Sequence, residues 1–249
     1  MLELNKIYLG NCFELMKRID DKSIDMILAD LPFSKTDFYW DKSFNLEILW
    51  NSYRRIIKNN GCIALNAIQP FTTDLINSNK KWFKYDYVWI KTQAANFQLA
   101  KYMPLKKHES ILIFYNKKPI YNPQMWKGKL KSKRIGHIKY QDRKKEMYLS
   151  SKPANLSIVK NDIYYPTTIL TFSSCARNKS LHPTQKPVEL CEFFIKTYTN
   201  KNDLILDNVT GSGTTLLAAK NLNRQFIGIE KEEKYYKIAC TRIGQIINL

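Results

Sequence analysis

The residues best suited to chemistry lie in two stretches far apart in the chain. The first runs from Leu204 to Glu230. An apolar run ends in Asp207, a glycine loop follows (Thr210-Gly211-Ser212-Gly213-Thr214-Thr215), then a helical segment, then a second apolar run closed by Glu230. Glycines let backbone approach a ligand closely, and a helix starting beside them offers free amide N–H groups. An acid ending the next strand can accept hydrogen bonds from both hydroxyls of a ribose. Leu216 stands where the third glycine of a G-x-G-x-x-G fingerprint belongs, and the G-x-x-x-x-G-K of a phosphate loop is absent. Taken together, strand, loop, helix, strand and terminal acid point to a nucleoside-type cofactor. A bare Gly-x-Gly would be no more than a turn.

The second stretch is Asp30-Leu31-Pro32-Phe33, which ends the apolar run Ile24 to Ala29. In isolation, an Asp before a proline reads as a turn. Beside a cofactor loop it acquires a chemical meaning. An exocyclic amine on a base is a poor nucleophile because its lone pair is delocalised into the ring. A carboxylate and a backbone carbonyl accepting its two N–H bonds would localise that pair, and an aromatic ring could stack on the extruded base.

The elements that must position these residues alternate along the chain. Cys12 to Ile19 and Leu46 to Lys58 have helical spacing, the second with Leu46, Leu49, Trp50, Tyr53, Ile56 and Ile57 on one face. Asn59-Asn60-Gly61 is expected to stop that helix before a strand at Cys62 to Leu65. Tyr85 to Lys91 and Ser110 to Tyr115 read as strands. Pro187 to Tyr198, Thr214 to Leu222 and Glu233 to Ile246 read as helices, with Asp203 to Asp207 and Gln225 to Glu230 as strands between them. This rhythm predicts an α/β fold, a doubly wound and mostly parallel sheet covered by helices, with ligands at the strands' carboxyl ends. Asp25 is expected to face solvent and Trp89 to belong to the core. His108 and His182 read as ordinary polar residues, and His137 as solvated.

Periodicity fades between residues 116 and 180. Fifteen Lys or Arg residues stand there against Asp142, Glu146 and Asp162, a surplus of twelve positive charges out of the chain's +18. Tyr115, Tyr121, Trp126, Tyr140, Tyr148, Tyr164, Tyr165 and Phe172 are interleaved with them. A basic field with flat aromatic faces suits nucleic acid. The other reading is a solvated insertion whose aromatics pin it to the core, and genome bias toward Lys, Asn and Ile accounts for part of the overall charge. The divisions expected are 1–115, 116–180 and 181–249. An apolar share of 44% and an aromatic share of 13% are those of a globular chain. Five scattered cysteines form no Cys-x-x-Cys pair, so neither a zinc site nor a disulfide framework is expected. No signal peptide and no apolar run approaching the ~20 residues of a membrane span is seen. A soluble, cytoplasmic protein from a prokaryote or phage is the expectation, with no membrane partner.

Asp30-Leu31-Pro32-Phe33 resembles the Asp-Pro-Pro-Tyr motif of DNA amino-methyltransferases. His182-Pro183-Thr184-Gln185-Lys186-Pro187 resembles the segment before their cofactor loop, and Asp207 to Thr215 resembles the loop itself. Catalytic motif, basic segment, cofactor motif is the circularly permuted order of that family's β group. Gly10-Asn11-Cys12, Trp89-Ile90-Lys91 and Lys107-His108-Glu109 look like its smaller landmarks. The resemblance implies a Rossmann-like methyltransferase sheet with a target-recognition insertion. It also implies site-specific methyl transfer from S-adenosylmethionine to adenine N6 in DNA by base flipping, without a metal. In the catalytic motif Asp30, Leu31, Pro32 and Phe33, Asp30 and the Leu31 carbonyl would grip the amine, and Phe33 would stack on the base. The cofactor would lie against Asn11, Cys12, Asp30, Thr184, Lys186, Asp207, Gly211, Ser212, Gly213, Thr214 and Glu230. Within that set Glu230 meets the ribose, Asn11 the adenine edge, and Thr184 and Lys186 the carboxylate. Three positions depart from the pattern. Leu31 replaces a proline, Val209 a phenylalanine and Asn11 an aspartate.

Alternatives of other kinds remain open at this point. They are a cytosine N4 enzyme, an RNA methyltransferase and an inactive DNA-binding relative. A cytosine C5 enzyme is disfavoured because the chain has no Pro-Cys pair. DNA is the expected partner, with a homodimer and a cognate restriction endonuclease as further expectations within a restriction-modification system.

Overall fold

A computed structural model describes residues 2–32, 45–95, 97–136, 156–174, 181 and 185–246. Phe33, His137, Cys175, His182 and Thr184 therefore lie outside the described residues. The chain divides into a larger unit, residues 1–122 with 167–249, and a smaller one, residues 123–166.

The larger unit is built on an eight-stranded sheet. Its strands are β1 (Lys6–Leu9), β2 (Ile24–Ala29), β3 (Ile57–Ala67), β4 (Phe83–Ala95), β5 (Lys106–Phe114), β8 (Ile169–Phe172), β9 (Leu204–Asp207) and β10 (Gln225–Glu230). Their order is β1-β10-β9-β2-β3-β5-β4-β8. Strands β1, β10, β9, β2 and β3 are mutually parallel, while β5 runs antiparallel to both β3 and β4. The expected sheet, doubly wound and mostly parallel, is the sheet observed.

Helices cover both faces because apolar side chains alternate across the strands. On one face α1 (Cys12–Met16), α2 (Leu46–Ile56) and α3 (Phe71–Ser78) pack on Ile27, Ile63, Leu65, Leu112 and Leu206. Helix α2 presents Leu49, Trp50, Tyr53 and Ile56 inward, a helical repeat that places Trp50 against Phe114 with ring centroids 4.9 Å apart. On the other face α4 (Val188–Tyr198), α5 (Thr214–Asn221) and α6 (Glu233–Ile243) pack on Met26, Leu28, Cys62, Ala64 and Ile205. Each such fully buried aliphatic or aromatic side chain contributes roughly 1.5–3 kcal/mol.

Three expectations change. Asn59-Asn60-Gly61 does not separate helix from strand: α2 passes directly into β3 at Ile57, and the three residues form an irregular stretch where the pairing with β2 shifts register. Asp25 does not face solvent; its carboxylate pairs with Lys58 at 2.7 Å and accepts the Leu204 N–H at 3.0 Å, tying β2 to the start of β9. The 116–180 stretch is not irregular throughout. In the smaller unit β6 (Trp126–Gly136) and β7 (Leu156–Tyr164) pair antiparallel, and Trp126 lies against Tyr164 with centroids 5.0 Å apart. Residues 117–122 instead join the larger unit, where Asn122 bonds the Thr197 carbonyl at 2.8 Å. Trp89 is core, its Nε1 donating to the Phe172 carbonyl at 3.0 Å.

Candidate active site

The two chemical stretches meet because β2 and β9 are parallel neighbours, with Ile27 opposite Leu206. Asp30 and Asp207 thus end adjacent strands at one rim. Strand β10 ends beside them at Glu230, and β1 ends beyond it, with the Gly10 N–H on the Glu230 carbonyl at 2.8 Å. Asn11 therefore follows directly at the same rim.

The cofactor loop is held by its own neighbours. Glu230 Oε2 accepts the Gly211 N–H at 2.6 Å and Oε1 accepts the Glu232 N–H at 2.8 Å. Gly211 and Gly213 have φ of 54° and 80°, left-handed values that side-chain-bearing residues rarely adopt. Ser212 Oγ donates to Gln185 Oε1 at 3.3 Å, which brings the segment before α4 against the loop. Arg242 of α6 donates to the Ser212 carbonyl at 3.1 Å and to Thr214 Oγ1 at 2.9 Å. The missing third glycine of the fingerprint is compensated on the facing strand. A Cβ at Gly228 would lie 2.3 Å from Leu216 Cδ1, so the space that a glycine in α5 would leave is left by β10. Asp207 is buried, its Oδ1 accepting the Val209 N–H at 3.1 Å, and burial pushes its carboxyl up to about 7. Burial likewise raises Glu230, against the pull of the backbone N–H donors. Cys12 begins α1 as a buried thiol, and Asn11 caps that helix through Oδ1, which accepts the Phe13 N–H at 2.8 Å.

At the catalytic stretch Leu31 is buried in the core and anchors the turn, with Pro32 partly covered after it. Asn66 Nδ2 donates to the Ala29 carbonyl at 3.4 Å, fixing the end of β2. Asp30 Oδ2 is 2.5 Å from Lys186 Nζ, and Lys186 also lies 3.4 Å from Glu109 Oε2. Glu109 Oε1 in turn accepts a short hydrogen bond from Lys91. Asp30 Oδ1 is enclosed and has no hydrogen-bond partner among the described residues. Burial raises the Asp30 carboxyl, which Lys186 offsets in part and Glu109 reinforces. Burial also pushes Glu109 up, but Lys186 and Lys91 outweigh it and hold that carboxyl at about 2. Lys186 is drawn down by burial and raised further by its two carboxylates, so it stays an ammonium.

Of the expected site residues, the rim gathers Asn11, Cys12, Asp30, Leu31, Pro32, Lys186, Asp207, Gly211, Ser212, Gly213, Thr214 and Glu230. Lys186, expected beside a cofactor carboxylate, sits on Asp30. The sequence reading assigned no role to Glu109, Lys91, Gln185, Asn66 or Arg242. The signal for Glu109 was an acid and a lysine facing each other across two strands, legible only once β4 and β5 are paired. Among the described residues no group of three or more His, Cys, Asp or Glu is placed to hold a metal ion, and no helix is long and apolar enough to cross a membrane.

These residues suit a nucleoside sulfonium such as S-adenosylmethionine. A buried acid stapled to a left-handed glycine loop can meet a ribose, and an unpartnered buried carboxylate oxygen stands on the neighbouring strand. Comparisons agree with this reading. The type II methyltransferase M.HinfI of Haemophilus influenzae is 28% identical over 278 residues, covering 98% of this chain and 69% of that protein. The crystal structure of an M1.HpyAVI complex with S-adenosylmethionine matches at a TM-score of 0.64 and 26% identity, over 96% of this chain and 98% of that one. The PvuII cytosine-N4-specific DNA methyltransferase shares the fold at a TM-score of 0.66 and 17% identity, over 95% of this chain and 85% of that one. A family model described as DNA methylase, of the N6/N4 methyltransferase type, matches residues 24–241, and the chain belongs to that family of S-adenosylmethionine-dependent DNA methyltransferases.

Proposed function

We propose that the chain transfers a methyl group from S-adenosylmethionine to adenine N6 at specific sites in DNA. The observation that carries this reading is Asp30: one carboxylate oxygen is tied to Lys186 and the other has no partner among the described residues, beside the strand that bears the glycine loop. Adenine is favoured over cytosine because the resemblance puts Asp at this position for adenine and more often Ser for cytosine.

When bound, the cofactor supplies an electrophilic methyl group on a sulfonium. The chain's own part is placement. Gly211 and Gly213 allow close backbone approach to the methionine portion, and Glu230 meets the ribose. Asp30 and the Leu31 carbonyl accept the two N–H bonds of the extruded amine, which turns its lone pair toward the methyl. Phe33 stacks on the base. Holding nucleophile and electrophile in contact supplies most of the acceleration, as in other intramolecular alignments. The raised Asp30 carboxyl then suits it to receive the proton released by the methylated nitrogen. Residues 116–180 contact the DNA around the site, and the protein works in the cytoplasm, as a homodimer alongside a cognate restriction endonuclease.

The test is to incubate unmethylated plasmid DNA with the protein and S-adenosylmethionine labelled in the methyl group, then digest to nucleosides. Label is expected in N6-methyladenine. Label confined to N4-methylcytosine overturns the base assignment, and no label in any duplex DNA overturns the reaction.

A further inference from the structure

The hairpin arm formed by β4 and β5 projects beyond the sheet at the rim that carries Asp30. Strand β3 ends at Ala67, paired with Ser110, whereas β5 begins four residues earlier at Lys106, paired with Ala95 of β4. Four strand residues extend the arm by roughly 13 Å. A register shift between Ile90 and Ala95 puts extra residues into β4 and bends the arm, as bulges do beside active sites. Its base holds Lys91 and Glu109, the groups that lead through Lys186 to Asp30.

The tip is apolar and open to water. Phe97 is 61% exposed, Leu99 41%, Tyr102 83% and Met103 51%. A single 3-10 turn over Phe97–Leu99 and bonds from the Tyr102 and Met103 N–H groups to the Leu99 carbonyl, at 2.9 and 3.0 Å, give the tip a preformed backbone. Four large apolar side chains clustered on a short loop mark a contact surface rather than random exposure. The charge around them selects the partner: Lys101, Lys106 and Lys107 flank the tip without one carboxylate among them, while Lys91 at the base of the arm is paired with Glu109.

Extruding a base leaves a gap in the stack and costs stacking energy, and proteins that open DNA fill such gaps with apolar wedges. We propose that the Phe97–Met103 tip, led by Tyr102, enters duplex DNA at the gap left by the target base, with Lys101, Lys106 and Lys107 on the flanking phosphates. This rests on the methyltransferase reading above. The partner is duplex DNA at the target site; a second copy of this chain is the competing occupant that the test must separate.

The test uses the full chain. A methylated site is first mapped on plasmid DNA with the unaltered protein; failure there removes the reaction itself and not the arm alone. Single-turnover rates are then measured for the unaltered protein and for Phe97→Ser/Tyr102→Ala on two substrates. One is the intact duplex and the other has the target base opposite an abasic position, where its pairing is already lost and extrusion costs less. The variant is expected to lose about 30-fold on the intact duplex and little on the second, the pattern of a lost wedge. Its affinity for S-adenosylmethionine and its sedimentation coefficient should be unchanged. Equal losses on both substrates, no loss on either, or conversion of a dimer into a monomer would each overturn the proposal.

Discussion

Replacing Lys186 with Met removes the one cation shared by two buried carboxylates. At an effective dielectric of about 20 the attraction is roughly 7 kcal/mol across the 2.5 Å to Asp30 and roughly 5 kcal/mol across the 3.4 Å to Glu109, before desolvation. Much of this is offset by the cost of burying the ammonium, so the net loss expected on deleting one partner is about 3–5 kcal/mol. The loss has a chemical consequence. Without its principal cationic neighbour the Asp30 carboxyl rises further, since burial and Glu109 both oppose its charge. Protonation of Asp30, which removes its capacity to accept the N–H bonds of an amine, then reaches further up the pH scale. Urea unfolding should show the stability loss. Single-turnover methylation should fall by about 100-fold at pH 7 and climb as pH rises toward the new pKa. Affinity for S-adenosylmethionine should stay within about threefold. Unchanged stability with a large loss of cofactor affinity would instead return Lys186 to the cofactor's carboxylate.

Two further outcomes follow from the cofactor side of the rim. Asp207, pushed up to about 7 from an ordinary 3.8, binds a proton in the folded state over a range where the unfolded chain does not. Stability therefore falls as pH rises from about 4 to about 7 and levels off above, a contribution on the order of 4 kcal/mol. Asp207→Asn should make that slope shallower in denaturant titrations across pH; Asp30 and Glu230 keep part of it. An unaltered slope would contradict the assignment. Gly228→Ala should cost about 1–3 kcal/mol by overpacking, because the new Cβ meets Leu216 at 2.3 Å and Thr210 Oγ1 at 3.0 Å. An unchanged urea midpoint would show that β10 and α5 are not packed as described.

The parts of the fold that could be read directly were those whose signal is local. Ile24–Ala29 and Gln225–Glu230 are apolar runs cut off by an acid, and both strands end where the sequence indicates. Other features depend on residues far apart in the chain. The direction of β5 leaves no trace in its own composition, since a strand's apolar alternation is the same either way round. Asp25 looks solvated because the Lys58 and Leu204 groups that satisfy it are distant in sequence. Helix α3 carries Phe71 and Leu75 among Asp74, Asn77 and Ser78, which favour caps and turns over helix interiors, so its periodicity is weak. Strand β1 is four residues long with only Ile7 buried, too short for alternation to declare it. At the site, Asp30 and the glycine loop could be read from residue type and order. The Lys91, Glu109 and Lys186 chain could not, because it requires two hairpin strands and the segment before α4 to meet at one rim.

In the proposed reaction Asp30 acts on the amine and not on the cofactor. Asp30→Ala tests it most directly, with S-adenosylmethionine binding measured by calorimetry and methyl transfer to plasmid DNA measured in the same preparation. Cofactor affinity is expected to stay close to that of the unaltered protein and turnover to fall by about a thousandfold or more. Near-normal turnover, or loss of cofactor binding in a protein that remains folded, would contradict it.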